Sequence, residues 1–556
     1  MHKSIALYAV FITSFLLYLP GANGPYLVDD YPNLINNDNL ILERFDSESL
    51  MQAAGSSRTG VVGRPLSMLS FALNYSLAGD KDAYPVKLVN ILLHLLTGAG
   101  IYILLKLLLA NWLPRGSNDI FWTALLATTL WLVHPLQVST VLYAVQRMTI
   151  LGSLFTVFGL VTYMKFRQDT IRTNSGYSAL FISLPAFTIV GVLAKENAAL
   201  LPPFALLIEA TCYRFVLHPN CSKLNRTVLI TMLFVPLLLV FSYLTYTYFN
   251  VRGELLWPYQ FTIDQRLLTQ PRMLMHYLGW ITLVNPEAMS QHHSDIGLST
   301  GLLAPITTLF SIAGLLTLVL AAGLCLYKQQ FVVFGFGVFW FLTGHLIEST
   351  TIPLALIYEH RNYLPMAGIL LIPAYFLVHT PGVATRKADK RVYVCAAIVL
   401  LTGLLGHERI SIWGDEKTMV LESLNKQANV SWSWSDAANF LSRTGNVAEA
   451  LGAMRTAARL DPSEPAFIFG EAYIRCLHLP ANEFPEDFKS VLMSALVDKP
   501  LTTTSINSFV NMINVCLTTR ANDATLRQLY LAAANNPMGA IADIGRLALD
   551  KLDNRD

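Results

Sequence analysis

Charge is what this 556-residue chain has least of. Only 14% of its residues are Asp, Glu, Lys or Arg, against about 25% in an average soluble domain. A soluble chain of this length would divide into roughly two to four domains, each needing a polar surface, and this one lacks the charge to cover them. An excess of either sign is missing too. With 39 basic and 37 acidic residues the net charge is +2, so no global basic field points to nucleic acid. Cysteine is sparse, six residues with no CxxC pair and no Cys/His cluster, which argues against a disulfide scaffold and a zinc module. What is abundant is apolar: 53% of residues are hydrophobic and the mean hydropathy is +0.46. The composition is that of an all-α, polytopic membrane protein.

The composition changes along the chain. Residues 1–406 alternate long apolar runs with short polar loops, 407–433 read as a linker, and 434–556 carry more charge and no run long enough to span. At about 20 apolar residues per span, eleven spans are expected, near 4–21, 86–110, 119–134, 147–165, 178–194, 198–214, 227–249, 304–327, 331–347, 363–379 and 392–406. The apolar segment 272–284, flanked by Pro271 and Pro286, is too short and reads as an interfacial or re-entrant helix. Met1-His2-Lys3 ahead of an apolar run has the form of a signal peptide, but Gly21-Ala22-Asn23-Gly24 is a poor cleavage site, so an uncleaved first helix is expected.

Positive charge sets the orientation. Arg115, Lys165, Arg167, Arg172, Arg214, Lys223, Arg226, Lys328, Arg386 and Lys387 fall in one set of loops, and Asp29, Asp30, Glu48, Asp82, Glu254, Glu348 and Glu359 in the opposite set. The expectation is a cytoplasmic N-terminus and, after eleven spans, an external C-terminal domain: in a bacterium, an inner-membrane protein with that domain in the periplasm.

The C-terminal stretch 434–465 has small and apolar residues at helical spacing, a break at Thr444-Gly445-Asn446, and a stop at Leu460-Asp461-Pro462. It resembles one tetratricopeptide repeat, followed by less regular helical hairpins. A peptide-binding groove and a plain helical cap are both open. Cys476 and Cys516, the cysteines of this domain, can pair in an oxidising periplasm.

The densest polar signal is the first outer loop, residues 22–85, which opens GPYLVDDYPNLINNDNL. Asp29 and Asp30 follow the first span by a few residues. Adjacent carboxylates repel, which raises one pKa unless a cation or hydrogen bond compensates, an arrangement suited to a general base with an orienting neighbour. The bland alternative is a solvated acidic loop. Further islands follow in order: GRPLSMLSFALNYSLAGDKDAYPVKLVNILLHLL, then His134-Pro135, then Lys195-Glu196, then Arg361-Asn362-Tyr363-Leu364-Pro365.

Taken together, these islands and the trailing repeat resemble the transmembrane and tetratricopeptide-repeat O-mannosyltransferases of the GT-C superfamily and their bacterial relatives. The resemblance covers about 400 residues. It implies a membrane glycosyltransferase with a polyprenyl-phosphate-linked sugar donor and inverting transfer outside the cytoplasm. Asp29 maps onto the family's acidic base and Asp30 onto its partner. Leu27-Val28 replaces the aromatic-acidic context frequent there, and the Gly-Arg-Ala-Asp usual near Arg147 is here Gln146-Arg147-Met148-Thr149, which keeps the Arg and lacks the Asp.

A phosphate leaving group needs positive charge where its own charge develops. Arg361 is the first candidate, since a guanidinium can hold two phosphate oxygens; the alternative is an Arg paired with Glu359 or Glu348. Arg147 and Lys195 are further phosphate candidates, against an interfacial anchor and a self-neutralising pair with Glu196 respectively. Arg64, Glu196, His134, His360 and Tyr363 complete the candidates. Arg64 can simply pair with Asp29 or Asp30, His134 suits helix capping, and His94 reads as a core histidine. His292, His293 and Asp295 lack further ligands and read as a mobile polar loop. No cofactor is required, and no ligand cluster supports a divalent cation. The partners the resemblance implies are the lipid-linked sugar, membrane lipids and an exported acceptor protein, pilin or similar, modified on Ser or Thr; nucleic acid is not one. Transfer to an envelope glycolipid or polysaccharide is the alternative reaction. A transporter would show internal repeats and midplane charge, which the spans lack. A non-catalytic scaffold would make Asp29 dispensable.

Overall fold

The computed structural model describes residues 2–57, 59–60, 62–114, 116–256, 261–290, 293, 296–379, 390–479, 485–519 and 524–553. The chain is helical throughout, with a single two-residue antiparallel strand pair, Leu255–Leu256 with Phe261–Thr262, among the described residues. It divides into two compact units. One comprises Met1–Leu256, Phe261–Met289 and Gly297–Asp415, the other Trp257–Gln260, Ser290–Ile296 and Glu416–Asp556.

Among the described residues of the first unit, seven helices are long and apolar enough to cross a membrane: His2–Asn23, Ala83–Trp112, Ala144–Thr173, Tyr177–Ala194, Lys223–Val251, Thr307–Tyr327 and Lys390–Trp413. Ala83–Trp112 has 30 residues and so measures about 45 Å at 1.5 Å per residue, well beyond the bilayer core. The protein is thus a multi-pass, all-α membrane protein. The remaining four expected spans take other forms. Asn118–Val133 and Pro135–Val141 form a pair bent by 53°. The break lies where Pro135 keeps His134 out of the helical region, at φ −66° and ψ 133°. Residues 198–214 are three short pieces, Glu196–Leu200, Leu201–Ile208 and Glu209–Tyr213, with Pro202 and Pro203 in the first turn of the middle one. Val332–Gly344 and Met366–Val378 are apolar helices of 13 residues each.

The segment expected over 272–284 belongs to a longer helix, Ile263–Leu283. Its start was missed because the signal is a capping box, Thr262 and Gln265 satisfying each other's backbone N–H groups, placed ten residues ahead of the apolar run. The first outer loop contains two helices of its own, Ser47–Ala54 and Pro65–Ala78. Arg167 is not a free loop charge. Its guanidinium is fully buried with Glu209 at 2.7 Å, beside the Tyr163 hydroxyl that also donates to Glu209. Arg115 and residues 380–389 lie outside the described residues.

The second unit is a run of helices: Glu416–Lys426, Ser431–Arg443, Val447–Leu460, Ala466–His478, Glu486–Val497, Thr503–Thr519, Ala524–Ala534 and Gly539–Asp553. Gly445, at φ +82°, makes the turn between the second and third. Ala438, Ala450 and Ala457 are fully buried against Phe467 and Met454, so small side chains let these helices cross closely. Cys476 and Cys516 form a disulfide between Ala466–His478 and Thr503–Thr519.

Candidate functional site

The acidic pair separates into two unlike residues. After the first helix the chain turns at Leu27–Asp30, where the Asp30 backbone N–H returns to the Leu27 carbonyl, and enters a single π-turn, Tyr31–Ile35, with Pro32 in its first positions. This turn buries Asp30 completely. Its Oδ2 accepts the Leu27 N–H at 2.8 Å and its Oδ1 the Val145 N–H at 2.7 Å. Burial pushes the Asp30 pKa up to about 7; the two N–H donors and the Lys87 ammonium oppose the rise, and the Asp29 charge adds only the smallest upward push. Desolvation, not the repulsion expected from adjacency, therefore dominates. Lys87 donates to the Pro25 carbonyl at 2.8 Å and ties the same turn down from behind.

Asp29 is the exposed member. Enough protein surrounds its carboxyl for burial to raise its pKa, against the Tyr143 hydroxyl and the Arg64 charge, which pull it down. Its backbone N–H donates to Tyr143 Oη at 2.7 Å. An accessible carboxylate on an anchored backbone, with its basicity raised, is what a general base needs.

Near it lies a group of buried and half-buried charges. Arg64, in the left-handed region at φ +51°, pairs with Glu196 at 3.0 Å, not with Asp29 or Asp30 as expected. Gly60 lets its loop lie on that carboxylate: a Cβ there would fall 1.7 Å from Glu196 Oε1, at a φ of +76°. Lys195 does not pair off with its neighbour Glu196. Its Nζ donates to Thr149 Oγ1 at 2.8 Å and sits 3.5 Å from Glu348 Oε1. The other oxygen of Glu348 is 3.8 Å from Arg361 Nε. Arg361 also donates to the Leu356 carbonyl and to the Tyr277 hydroxyl, and its guanidinium lies 5.4 Å from the centre of the Tyr358 ring. His360 stacks on Tyr358 and faces Lys195, Glu348, Arg361 and Arg64. One cavity is lined by Lys195, His360 and Arg361 together with Thr149, Ser153 and Asn197. Arg64 joins the halves, since its charge acts on Asp29, on Lys195 and on His360.

The irregular stretch that carries Glu348 and Arg361 is held by the helix Ile263–Leu283. Arg266, fully buried, donates to the backbone carbonyls of Glu348, Thr350, Leu354 and Ala355. Gln270 donates to Leu356, and Tyr277 accepts the Tyr358 N–H. Glu359, an expected partner of Arg361, is taken by Arg409, whose Nη2 reaches both carboxylate oxygens at 2.8 Å.

No family model matches the chain, and no solved structure matches it. Curated proteins do. A protein O-mannosyl-transferase of Caenorhabditis elegans is 25% identical over 215 residues, 38% of this chain and 28% of its own length. Protein O-mannosyl-transferase TMTC4 of Mus musculus is 25% identical, over 38% of this chain and 31% of its own. The human TMTC4 is 27% identical, over 32% and 25%. Over about a third of its length the chain is similar to these protein O-mannosyl-transferases. The matched region spans less than a third of the length of each of these relatives.

The remaining candidates stand apart from the cavity's charges. Arg147 is fully buried and makes four hydrogen bonds, to Asn90 Oδ1, Asn74 Oδ1 and the carbonyls of Ser70 and Val86, with Phe71 under its guanidinium at 4.4 Å. It ties three helices together, so the placement is that of a packing residue. His134 accepts the Leu136 N–H on Nδ1 and meets the Ile281 carbonyl with Nε2; it caps the turn after the bend. Tyr363 meets the cavity wall, but its hydroxyl is engaged with His94, and its carbonyl with Trp131. His292 and Asp295 lie outside the described residues, and no group of three or more His, Cys, Asp or Glu side chains gathers among the described ones. Sequence reasoning missed Tyr143, Tyr277, Thr149 and the bridging role of Glu348. An aromatic or hydroxyl residue in an apolar segment carries no signal of its own.

Proposed function

We propose that this protein is a GT-C-type glycosyltransferase of the bacterial inner membrane, acting on its periplasmic face. It takes a sugar from a polyprenyl-phosphate carrier and transfers it to a Ser or Thr hydroxyl of an exported protein, pilin being the acceptor to test first. The observation that carries this reading is the pairing of one accessible carboxylate, Asp29, with a cavity whose wall holds Lys195 and Arg361, the two connected electrostatically through Arg64. Asp29 takes the hydroxyl proton as the acceptor oxygen bonds to the anomeric carbon. The bond from that carbon to the phosphate oxygen breaks with inversion, and its electron pair stays on the phosphate. Lys195 and Arg361 meet the charge that develops there. Asp30 orients the turn and does not touch the substrate. The relationship to proteins named O-mannosyl-transferases supports the reaction class; the sugar is not carried over from them.

Cysteine placement supports the orientation. Cys212, Cys221, Cys325 and Cys395 take part in no disulfide among the described residues, and all four neighbour the Arg- and Lys-rich loops assigned to the cytoplasm. The bonded pair, Cys476 and Cys516, belongs to the unit assigned to the periplasm, where disulfides persist. The tetratricopeptide-like C-terminal helices would hold the acceptor. The test is the intact mass of exported proteins, pilin first, from cells with and without the chain. A sugar-sized mass difference on a protein supports the proposal, and a change confined to envelope glycolipid or polysaccharide redirects it.

A further inference from the structure

Glu348 is a buried carboxylate shared by two buried cations, and it does not line the cavity that those cations line. One oxygen faces Lys195 Nζ at 3.5 Å, the other Arg361 Nε at 3.8 Å, and Asn197 donates to it. It therefore contacts both cations without itself lining the space a phosphate would enter. Its backbone is fixed by Arg266, which donates to the Glu348 carbonyl. Lys195 is also held in place, packed on Gly152, where a Cβ would come within 3.2 Å of Lys195 Cβ. Its charge is less secure, because the buried ammonium has little water.

We propose that Glu348 is a positioning residue that aims the Lys195 and Arg361 charges into the cavity and keeps Lys195 in its ammonium form until the donor phosphate arrives. The proposal rests on the reading of the cavity as a phosphate site. A lysine taken out of water gives up its proton more readily, and burial does lower the Lys195 pKa. The charged groups around it divide. Glu348 and Glu196 favour the ammonium, Arg64 and Arg361 oppose it, and His360 faces it as a fifth ionisable group. Glu348 is the strongest of the stabilising charges. Arg361 needs no such help, because a guanidinium stays charged at any working pH. Glu348 thus acts on Lys195 through charge and on Arg361 through placement.

The experiment is binding of a polyprenyl methyl phosphodiester to the full chain in nanodiscs over neutral to alkaline pH. The probe's single charge does not titrate there. Wild type loses affinity as the pH rises through the Lys195 pKa. Glu348→Gln is expected to bind more weakly and to lose affinity at a pH lower by about one unit or more, the scale of one close charge. Lys195→Arg in the Glu348→Gln background is expected to bind with no alkaline fall, since arginine keeps its charge without the carboxylate. Glu348→Asp, which keeps the charge, is expected to leave the midpoint near that of wild type. An unshifted midpoint in Glu348→Gln overturns the inference, as does an alkaline fall that persists in the double variant. A wild-type protein that does not bind the probe at all instead overturns the phosphate-site reading on which the inference stands.

Discussion

The Asp30 carboxylate receives the backbone N–H of Val145 at 2.7 Å, across 115 residues of chain. The turn that presents Asp29 is thereby pinned to the first turn of the helix Ala144–Thr173. Asp29 can stay accessible because its neighbour in sequence carries the structural load.

Asp29→Asn keeps size and removes basicity. Transfer is expected to fall by roughly 10²-fold or more, the lower end of general-base assistance, with expression and donor binding intact. The base works as a carboxylate and burial raises its pKa, so the acid limb of the wild-type pH–rate profile is expected above the ordinary carboxylate range. Wild-type turnover in Asp29→Asn together with loss in Asp30→Asn would exchange the two roles, and normal turnover in the double variant would refute the mechanism.

Asp30 makes a stability prediction with a definite sign. Its folded pKa of about 7 lies above the ordinary 3.8. Between these values the folded state binds more protons than the unfolded one, so its contribution is greatest below about pH 4 and falls as pH rises through about 7. Asp30→Asn cannot ionise, and its amide can accept only one of the two N–H groups; an orphaned buried donor costs about 1–3 kcal/mol. Wild-type thermal stability is expected to fall over that pH window, and the Asp30→Asn variant is expected to be less stable than wild type but flatter. Parallel curves for the two proteins would count against this account.

Arg361→Ala is expected to abolish nearly all transfer, while Arg361→Lys keeps part of it, since lysine retains the charge without the planar geometry. Steady-state kinetics with varied donor measures this. Full activity in Arg361→Ala would shift the phosphate site to Lys195 and Arg64.

Arg147→Met is expected to act on stability. The substitution leaves Asn90, Asn74 and the Ser70 and Val86 carbonyls without their donor, at about 1–3 kcal/mol for each acceptor that finds no other. Unfolding in detergent should occur at markedly lower temperature, with the donor KM of the surviving folded protein unchanged. A raised KM with unaltered stability would return Arg147 to the phosphate site.

Native cysteines report the orientation. In spheroplasts an impermeant thiol reagent is expected to label Cys221 only after permeabilisation. Labelling of Cys221 in sealed cells would invert the topology.

Length and apolarity are local properties, so the membrane helices, the acidic turn at Asp29-Asp30 and the break at Gly445 could be read from the chain alone. Helix bounds failed where the cue was a polar cap, as at Thr262 and Gln265, or where prolines divided an apolar run, as at 202 and 203. Nothing local says which of two neighbouring aspartates will be buried. That depended on N–H donors from Leu27 and Val145, the latter brought by the fold from far along the chain. Arg147 and Arg361 look alike in sequence, each an arginine at the end of an apolar helix. The fold surrounds the first with carbonyl and amide oxygens that use up its donors, and sets the second against Glu348 on a cavity wall. A side chain's chemistry comes from its sequence, but its partners and its access to water come from packing between distant segments, and at this site those decide which charges are free to meet a substrate.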